Sequence, residues 1–256
     1  MNNDTKFIIT TPCYNCVKYV HMCLNSICLQ TYKNYEMFIV DDGSTDGTYE
    51  KIKQWIADKN DDRFHLIRNE INEGSSVGSN VKAIDYSNAG KEDVIVNIDG
   101  DDWLPDSKVF EHLNNLYKTK DIWMTYGQFT PASKSYKNIC AKVPDTKTYR
   151  KSMIWLKRMY ASHLRTFKKK AFDCINRDHF RDFEDKNKFL QSAGDISLIF
   201  PLLEICGNER AIFVNRIMYV YNDQNDISIM YRTPEKQIQN AKWVSEMDVY
   251  EERESL

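Results

Sequence analysis

Along the first 118 residues, short apolar runs alternate with stretches whose apolar residues recur at helical spacing. Lys6 to Thr11 carries Phe7, Ile8 and Ile9 and is stopped by Pro12, so it reads as a strand. Val17, Val20, Leu24, Ile27 and Cys28 then mark one face of a helix. Glu36 to Asp41 is a second strand, and Tyr49, Ile52, Trp55 and Ile56 a second helix. Phe64 to Asn69 follows as a strand, and Gly74 to Ser87 as a Ser- and Gly-rich turn leading into a helix with Val77, Val81 and Ile84. Val94 to Ile98 is a β-branched run that ends in Asp99-Gly100-Asp101-Asp102, before a helix from Ser107 to Tyr117. Strands alternating with helices predict a parallel sheet covered on both faces.

Beyond Tyr117 the pattern loosens. Trp123 to Phe129 predicts a strand and Thr130 to Thr146 a long polar loop. From Lys147 to Lys170 there are nine basic residues and no acidic one, interleaved with Tyr149, Trp155, Tyr160 and Phe167. Such a stretch is either a solvated helix face with its aromatics turned inward, or a grip for a diphosphate, an acidic acceptor or a lipid head group at a membrane surface. Gly194-Asp195 opens an apolar helix bearing Ile196, Ile199, Phe200 and Leu203, and Ile212 to Val214 and Met218 to Tyr221 read as late strands. Thr233-Pro234-Glu235 has the chemistry of a helix start. The acidic end from Tyr250 to Leu256 is expected to fray.

The length of 256 residues suits one α/β domain with an elaborated C-terminal part. A net charge of −2, from 35 basic and 37 acidic residues, gives no reason to expect nucleic acid. No apolar run approaches the roughly 18 residues of a membrane span, and Met1-Asn2-Asn3-Asp4 does not resemble a signal peptide, so a cytoplasmic location is expected. Seven cysteines, an odd number, argue for reduced structural thiols; Cys13 and Cys16 have CxxC spacing without a second pair.

Three of the predicted strands end in polar clusters: Thr10-Thr11, Asp41-Asp42 and Asp99-Gly100-Asp101. Parallel strands deliver their carboxyl ends to one edge, where ligands of open α/β sheets bind. Crowded carboxylates repel, and a hard divalent cation shared with phosphate relieves them. The pattern therefore predicts a nucleotide site with Mg²⁺ or Mn²⁺, although Asp102 or Asp106 could instead cap the helix that follows.

Thr11-Pro12-Cys13-Tyr14-Asn15, Asp41-Asp42-Gly43-Ser44, Asn72-Glu73-Gly74 and Asp99-Gly100-Asp101-Asp102, in this order and spacing, resemble the family 2 glycosyltransferases over roughly residues 6 to 118. The resemblance implies a GT-A fold, with a mixed, mostly parallel sheet flanked by helices and a C-terminal acceptor-side extension. It implies one domain: a donor half over 1–118, an acceptor half over 119–232 and a C-terminal helix and tail over 233–256. It further implies a UDP-sugar donor, a hydroxyl-bearing acceptor and inversion at the anomeric carbon. Tyr14 would lie against the base and Asp42, more than Asp41, would accept its N–H. Thr11, Pro12, Asn72, Gly74, Lys82 and Gly100 would also face the nucleotide sugar. Asp99 and Asp101 would handle ribose and metal. Gly194-Asp195 resembles the family's Glu-Asp, making Asp195 the expected catalytic base, with helix capping as the plainer alternative. Tyr221 with Asp226-Ile227-Ser228 resembles a closing segment of unassigned role.

One position departs from the pattern. Ser79 stands where an arginine is expected to help hold the donor, so Lys82, Arg68 or the basic stretch is left to supply positive charge. Two other readings compete: a catalytically silent sugar-nucleotide-binding module, and a haloacid-dehalogenase-type phosphatase, which fits poorly because Gly43 replaces the second aspartate it requires. A Rossmann dehydrogenase is disfavoured because no G-x-G-x-x-G follows the first strand.

Overall fold

The computed structural model describes residues 4–135, 140–156, 160–225 and 234–254. Thr233, Asp226-Ile227-Ser228 and the last two residues of the tail lie outside these, as does the side chain of Trp155.

Seven strands form one sheet in the order β3-β2-β1-β4-β6-β5-β7. They are β1 (Phe7–Cys13), β2 (Tyr35–Asp41), β3 (Phe64–Arg68), β4 (Val94–Asn97), β5 (Met124–Pro131), β6 (Arg165–Lys168) and β7 (Ala211–Tyr221). Only β6 runs against its neighbours, pairing antiparallel with β4 and β5, while β1–β2, β2–β3, β1–β4 and β5–β7 are parallel. The sheet is thus mixed and mostly parallel, as expected.

Strand periodicity divides the core into two layers. Phe7, Ile9, Met37, Ile39, Val94 and Val96 face α1 (Val20–Cys28), α2 (Thr48–Lys59) and α4 (Val109–Thr119), where Leu24, Ile52, Phe110 and Leu113 meet them. Ile8, Phe38, Val40 and Ile95 face the other way, toward α3 (Ser76–Tyr86) and α7 (Gly194–Arg210), through Val77, Val81, Ile84, Ile196 and Ile199. These side chains are almost wholly buried. At about 1.5–3 kcal/mol for each large aliphatic side chain, the two layers hold the strand ends in register.

The C-terminal half differs from expectation in three places. The basic stretch is not one helix face: it contains α5 (Thr146–Leu156), then β6, then the short α6 (Lys169–Phe172). Its lysines hid a four-residue strand whose Phe167 points into the core and whose Thr166 hydroxyl bonds those of Tyr117 and Thr125. The two late strands are one, β7, with register shifts against Gly127–Phe129 of β5 that absorb the polar Asn215-Arg216 step. The tail is docked rather than frayed over its described part, since Tyr250 N donates to Glu204 at 3.0 Å and Arg253 N to the Ile205 carbonyl at 3.0 Å.

Behind that docking lies a buried ion pair. Arg150 of α5 donates from Nε and Nη2 to Glu204 of α7 at 2.7 and 2.6 Å, with side chains 0% and 1% exposed. Its remaining Nη1 reaches the carbonyls of Val244, Met247 and Asp248. One guanidinium thereby ties α5 and α7 to the end of α8 (Pro234–Glu246) and the chain beyond it.

Candidate active site

The ends of β2, β1 and β4 lie side by side, with Cys13 opposite Asp41 and Thr10 opposite Asn97. The turn after β1 is locked onto the turn after β2. Asn15, at φ 47°, donates from its N–H to Ser44 Oγ (3.0 Å) and accepts at Oδ1 from Thr45 N (2.9 Å), while Cys16 N and Val17 N donate to Thr48 and Asp46. Tyr14 is held at the edge with 37% of its surface free. Gly43 allows the next layer: at φ +68°, an added Cβ would sit 2.7 Å from Asn72 N, so only glycine lets residues 71–74 cross over the β2 end.

Asp42 holds that crossing segment. Its Oδ1 accepts from Asn69 Nδ2 at 2.7 Å and Glu73 N at 3.0 Å, and its Oδ2 from Gly74 N at 3.0 Å. The carboxylate still lines the cavity, but its first task is to shape the Asn72–Gly74 turn. Asp41 is wholly buried beside Ser44 and Arg68 and lines no part of the cavity. Burial pushes its carboxyl up.

The acidic loop after β4 divides by function. Asp102, 1% exposed, accepts from Tyr219 Oη at 2.6 Å and Asn222 N at 2.7 Å, so it anchors the loop to β7 and does not cap α4. Asp106 instead meets Lys108 N, and it pairs with Arg216. Gly100 packs under the loop, where a Cβ would lie 2.3 Å from Cys13 Sγ. Asp99 and Asp101 line the cavity beside Asp102. Burial and the neighbouring Asp101 raise the Asp99 carboxyl to about 6, against the opposing pull of Arg165. Burial also raises Asp101, which Asn225 Nδ2 contacts at 2.7 Å.

Arg165 enters from β6, almost buried, with Nη2 3.7 Å from Asp195 Oδ2 and 3.3 Å from His163 Nε2. His163 stacks on Tyr219 at 4.5 Å, and burial together with Arg165 holds it well below its usual pKa. Asp195 lies in the first turn of α7, after Ala193 in left-handed conformation; no side chain caps that helix. The charges of Arg165 and Asp195 are both felt at Asp99.

Together these elements enclose a cavity of about 530 Å³. Of the residues expected at the site, Pro12, Tyr14, Asp42, Asn72, Gly74, Asp99 and Asp101 line it. Thr11, Asp41, Lys82, Gly100 and Asp195 are not among its lining residues. Lys82, which bonds Asn69, and Arg68, which stacks on Tyr49 at 4.2 Å, are not among the lining residues, whereas Ser79, where an arginine is expected, is. The basic stretch is largely spoken for: Lys168 and Lys170 pair with Glu92, Lys169 with Asp173, Lys147 with Glu252 and Arg150 with Glu204. Sequence reasoning missed Gln191, Ser192, Asn222, Asn225 and Lys236, all of which line the cavity. Asp42, Glu73, Asp99, Asp101 and Asp102 contribute carboxylates, and among the described residues Lys236 is the one lysine or arginine on the lining. Nor does any group of three or more His, Cys, Asp or Glu among the described residues form a ready metal cage.

The family described as Glycosyl transferase family 2 matches residues 8–176, from the start of β1 through β6. The chain belongs to glycosyl transferase family 2. Among curated relatives, a glycosyltransferase GlyA of Streptococcus pneumoniae is 35% identical over 115 residues, covering 45% of this chain and 15% of its own. A putative glycosyltransferase EpsE of Bacillus subtilis is 35% identical over 102 residues, covering 40% of this chain and 35% of its own. This family 2 chain therefore spans well under half the length of those two relatives. Among solved structures, Staphylococcus aureus TarS in complex with UDP-GlcNAc superposes at a TM-score of 0.70 with 17% identity, over 94% of this chain and 65% of that one. A mannosyltransferase of Pyrobaculum calidifontis in complex with GDP-Man and Mn²⁺ gives 0.64 with 15% identity, over 97% and 67%. At such identities the likeness is one of fold: the GT-A arrangement expected of the family. Among the described residues, no helix is long and apolar enough to cross a membrane.

Proposed function

We propose that this chain is an inverting, metal-dependent glycosyltransferase that moves a hexose-type sugar from a UDP-sugar to a hydroxyl acceptor. The observation that carries the reading is the convergence, in one cavity, of the Tyr14 ring and the Asp42–Gly74 turn with the facing pair Asp99 and Asp101. The ring offers a flat face to a base. The turn offers polar edges beside it, which suits uracil. TarS, bound to UDP-GlcNAc, and the mannosyltransferase, bound to GDP-Man and Mn²⁺, lend support at the level of the fold.

Among the described residues, five carboxylates against one lysine make a cavity that would repel a diphosphate on its own. That imbalance, with the raised Asp99 carboxyl, fits a divalent cation that takes two protein carboxylates and completes its shell with phosphate and water. Asp99 and Asp101 would hold Mn²⁺ or Mg²⁺, and the ion would supply charge stabilisation for the departing diphosphate. Asp195 would take the proton from the acceptor hydroxyl as its oxygen bonds the anomeric carbon and UDP leaves from the opposite face. Arg165 would keep Asp195 oriented. The division into a donor half over 1–118, an acceptor half over 119–232 and a closing segment over 233–256 belongs to the same proposal.

The test is UDP release from a panel of UDP-sugars with Mn²⁺, with and without hydroxyl acceptors. Asp195→Asn is expected to bind UDP and melt as the unaltered protein does, and to lose about 10²–10⁴-fold in transfer rate. Near-normal turnover by the variant would remove Asp195 from the chemistry. No turnover of any donor, not even by water, would return the chain to a sugar-nucleotide-binding role.

A further inference from the structure

Donor binding in this cavity lacks the arginine that the family pattern places at position 79. We propose that Lys236, on α8, is the cation that grips the donor diphosphate in its stead; this rests on the nucleotide-sugar reading above. Lys236 lines the cavity, and its ammonium donates to Gln191 Oε1 at 2.7 Å. Gln191 is neutral, so the contact orients the ammonium, and among the described residues Lys236 forms no ion pair.

The position is built rather than incidental. One turn further along α8, the wholly buried Asn240 donates from Nδ2 to Ser192 Oγ at 2.8 Å. Residues four apart share a helix face, so this bond aims Lys236 at the same segment. That segment is fixed from its other side as well. Ser75 Oγ donates to the Leu190 carbonyl at 2.6 Å, and an added Cβ on Gly74 would lie 3.6 Å from the Gln191 amide nitrogen. Lys236 therefore sits where α8, residues 190–192 and the Asn72–Gly74 turn meet, and it shares the cavity lining with Asp99 and Asp101.

An ammonium donating to a phosphate oxygen makes a charge-assisted bond, roughly twice as strong as a neutral one. When the bond between the anomeric carbon and the phosphate oxygen breaks, its electron pair stays on that oxygen, and Lys236 offsets the added charge without giving up a proton. The residue becomes a direct donor contact, legible in sequence only as one lysine in a helix about 160 positions from the place where the arginine is missing.

Calorimetric titration of uridine and UDP, each with Mg²⁺, separates the possibilities. In Lys236→Met, UDP affinity is expected to fall about 10- to 100-fold while uridine affinity stays within twofold. Lys236→Gln, which can still bond Gln191 but carries no charge, should show the same split, and Lys236→Arg should retain most of the affinity. Equal losses for uridine and UDP, or unchanged UDP affinity in both neutral variants, would overturn the assignment. If the unaltered protein itself prefers UDP no more than uridine, the donor-site reading falls with it; a normal preference that ignores Lys236 removes Lys236 alone.

Discussion

Asp42 offers the clearest separation between a residue that merely awaits ligand and one that builds the site. In Asp42→Asn the side chain keeps its size but can present only one oxygen. If that oxygen takes the place of Oδ1, it still accepts from Asn69 and Glu73 N, and the new amide N–H faces Gly74 N, donor against donor. The flipped amide is worse, because it leaves two donors unmatched. With the side chain 5% exposed, water does little to relieve either arrangement. Losing one charge-assisted bond to a backbone N–H costs about 1.5–3 kcal/mol, and neutralising the acceptor weakens the remaining two. For a chain of this size, about 2–3 kcal/mol corresponds to a fall of roughly 5–10 °C in melting temperature. Differential scanning calorimetry without nucleotide or metal reads this directly. A carboxylate present only to meet the base would give the opposite result, since removing a repelling acid from an acidic cavity leaves stability unchanged or raises it. A ligand-free melting temperature at or above that of the unaltered protein would refute the anchoring role of Asp42.

Two other consequences follow from buried charge. Arg150→Met should destabilise by about 3–5 kcal/mol, because Glu204 would be left buried without its partner, and adding Glu204→Leu should recover much of the loss in the same calorimetric measurement. Metal binding should depend on pH through Asp99, whose carboxyl must be ionised to act as a ligand and is raised to about 6 in the metal-free protein. The rise in melting temperature on adding Mn²⁺ and UDP should therefore be large at pH 7.5 and small at pH 5; an equal rise at both would place the metal elsewhere.

The N-terminal half was legible in the sequence because its determinants are local. Ile8 against Phe7 and Ile9, and Ile95 against Val94 and Val96, divide between the two core layers through strand periodicity alone. Parallel pairing then brings Tyr14, Asp42 and Asp99 to one edge, whatever the chain between them contains. Which carboxylate does what was decided only by tertiary contacts. Asp42 and Asp102 look alike in sequence to Asp99 and Asp101, yet the first holds a turn 31 residues away and the second meets Tyr219 and Asn222 from β7 and its end, about 120 residues on. The same holds for positive charge. Lys168, Lys169 and Lys170 find carboxylates of their own, while Arg165, in the same run, turns toward Asp99 and Asp195 because the antiparallel β6 directs it there. Periodicity records which face of an element is buried. The pairing of charges across 30 to 120 residues depends on how those elements pack, and no local pattern encodes it.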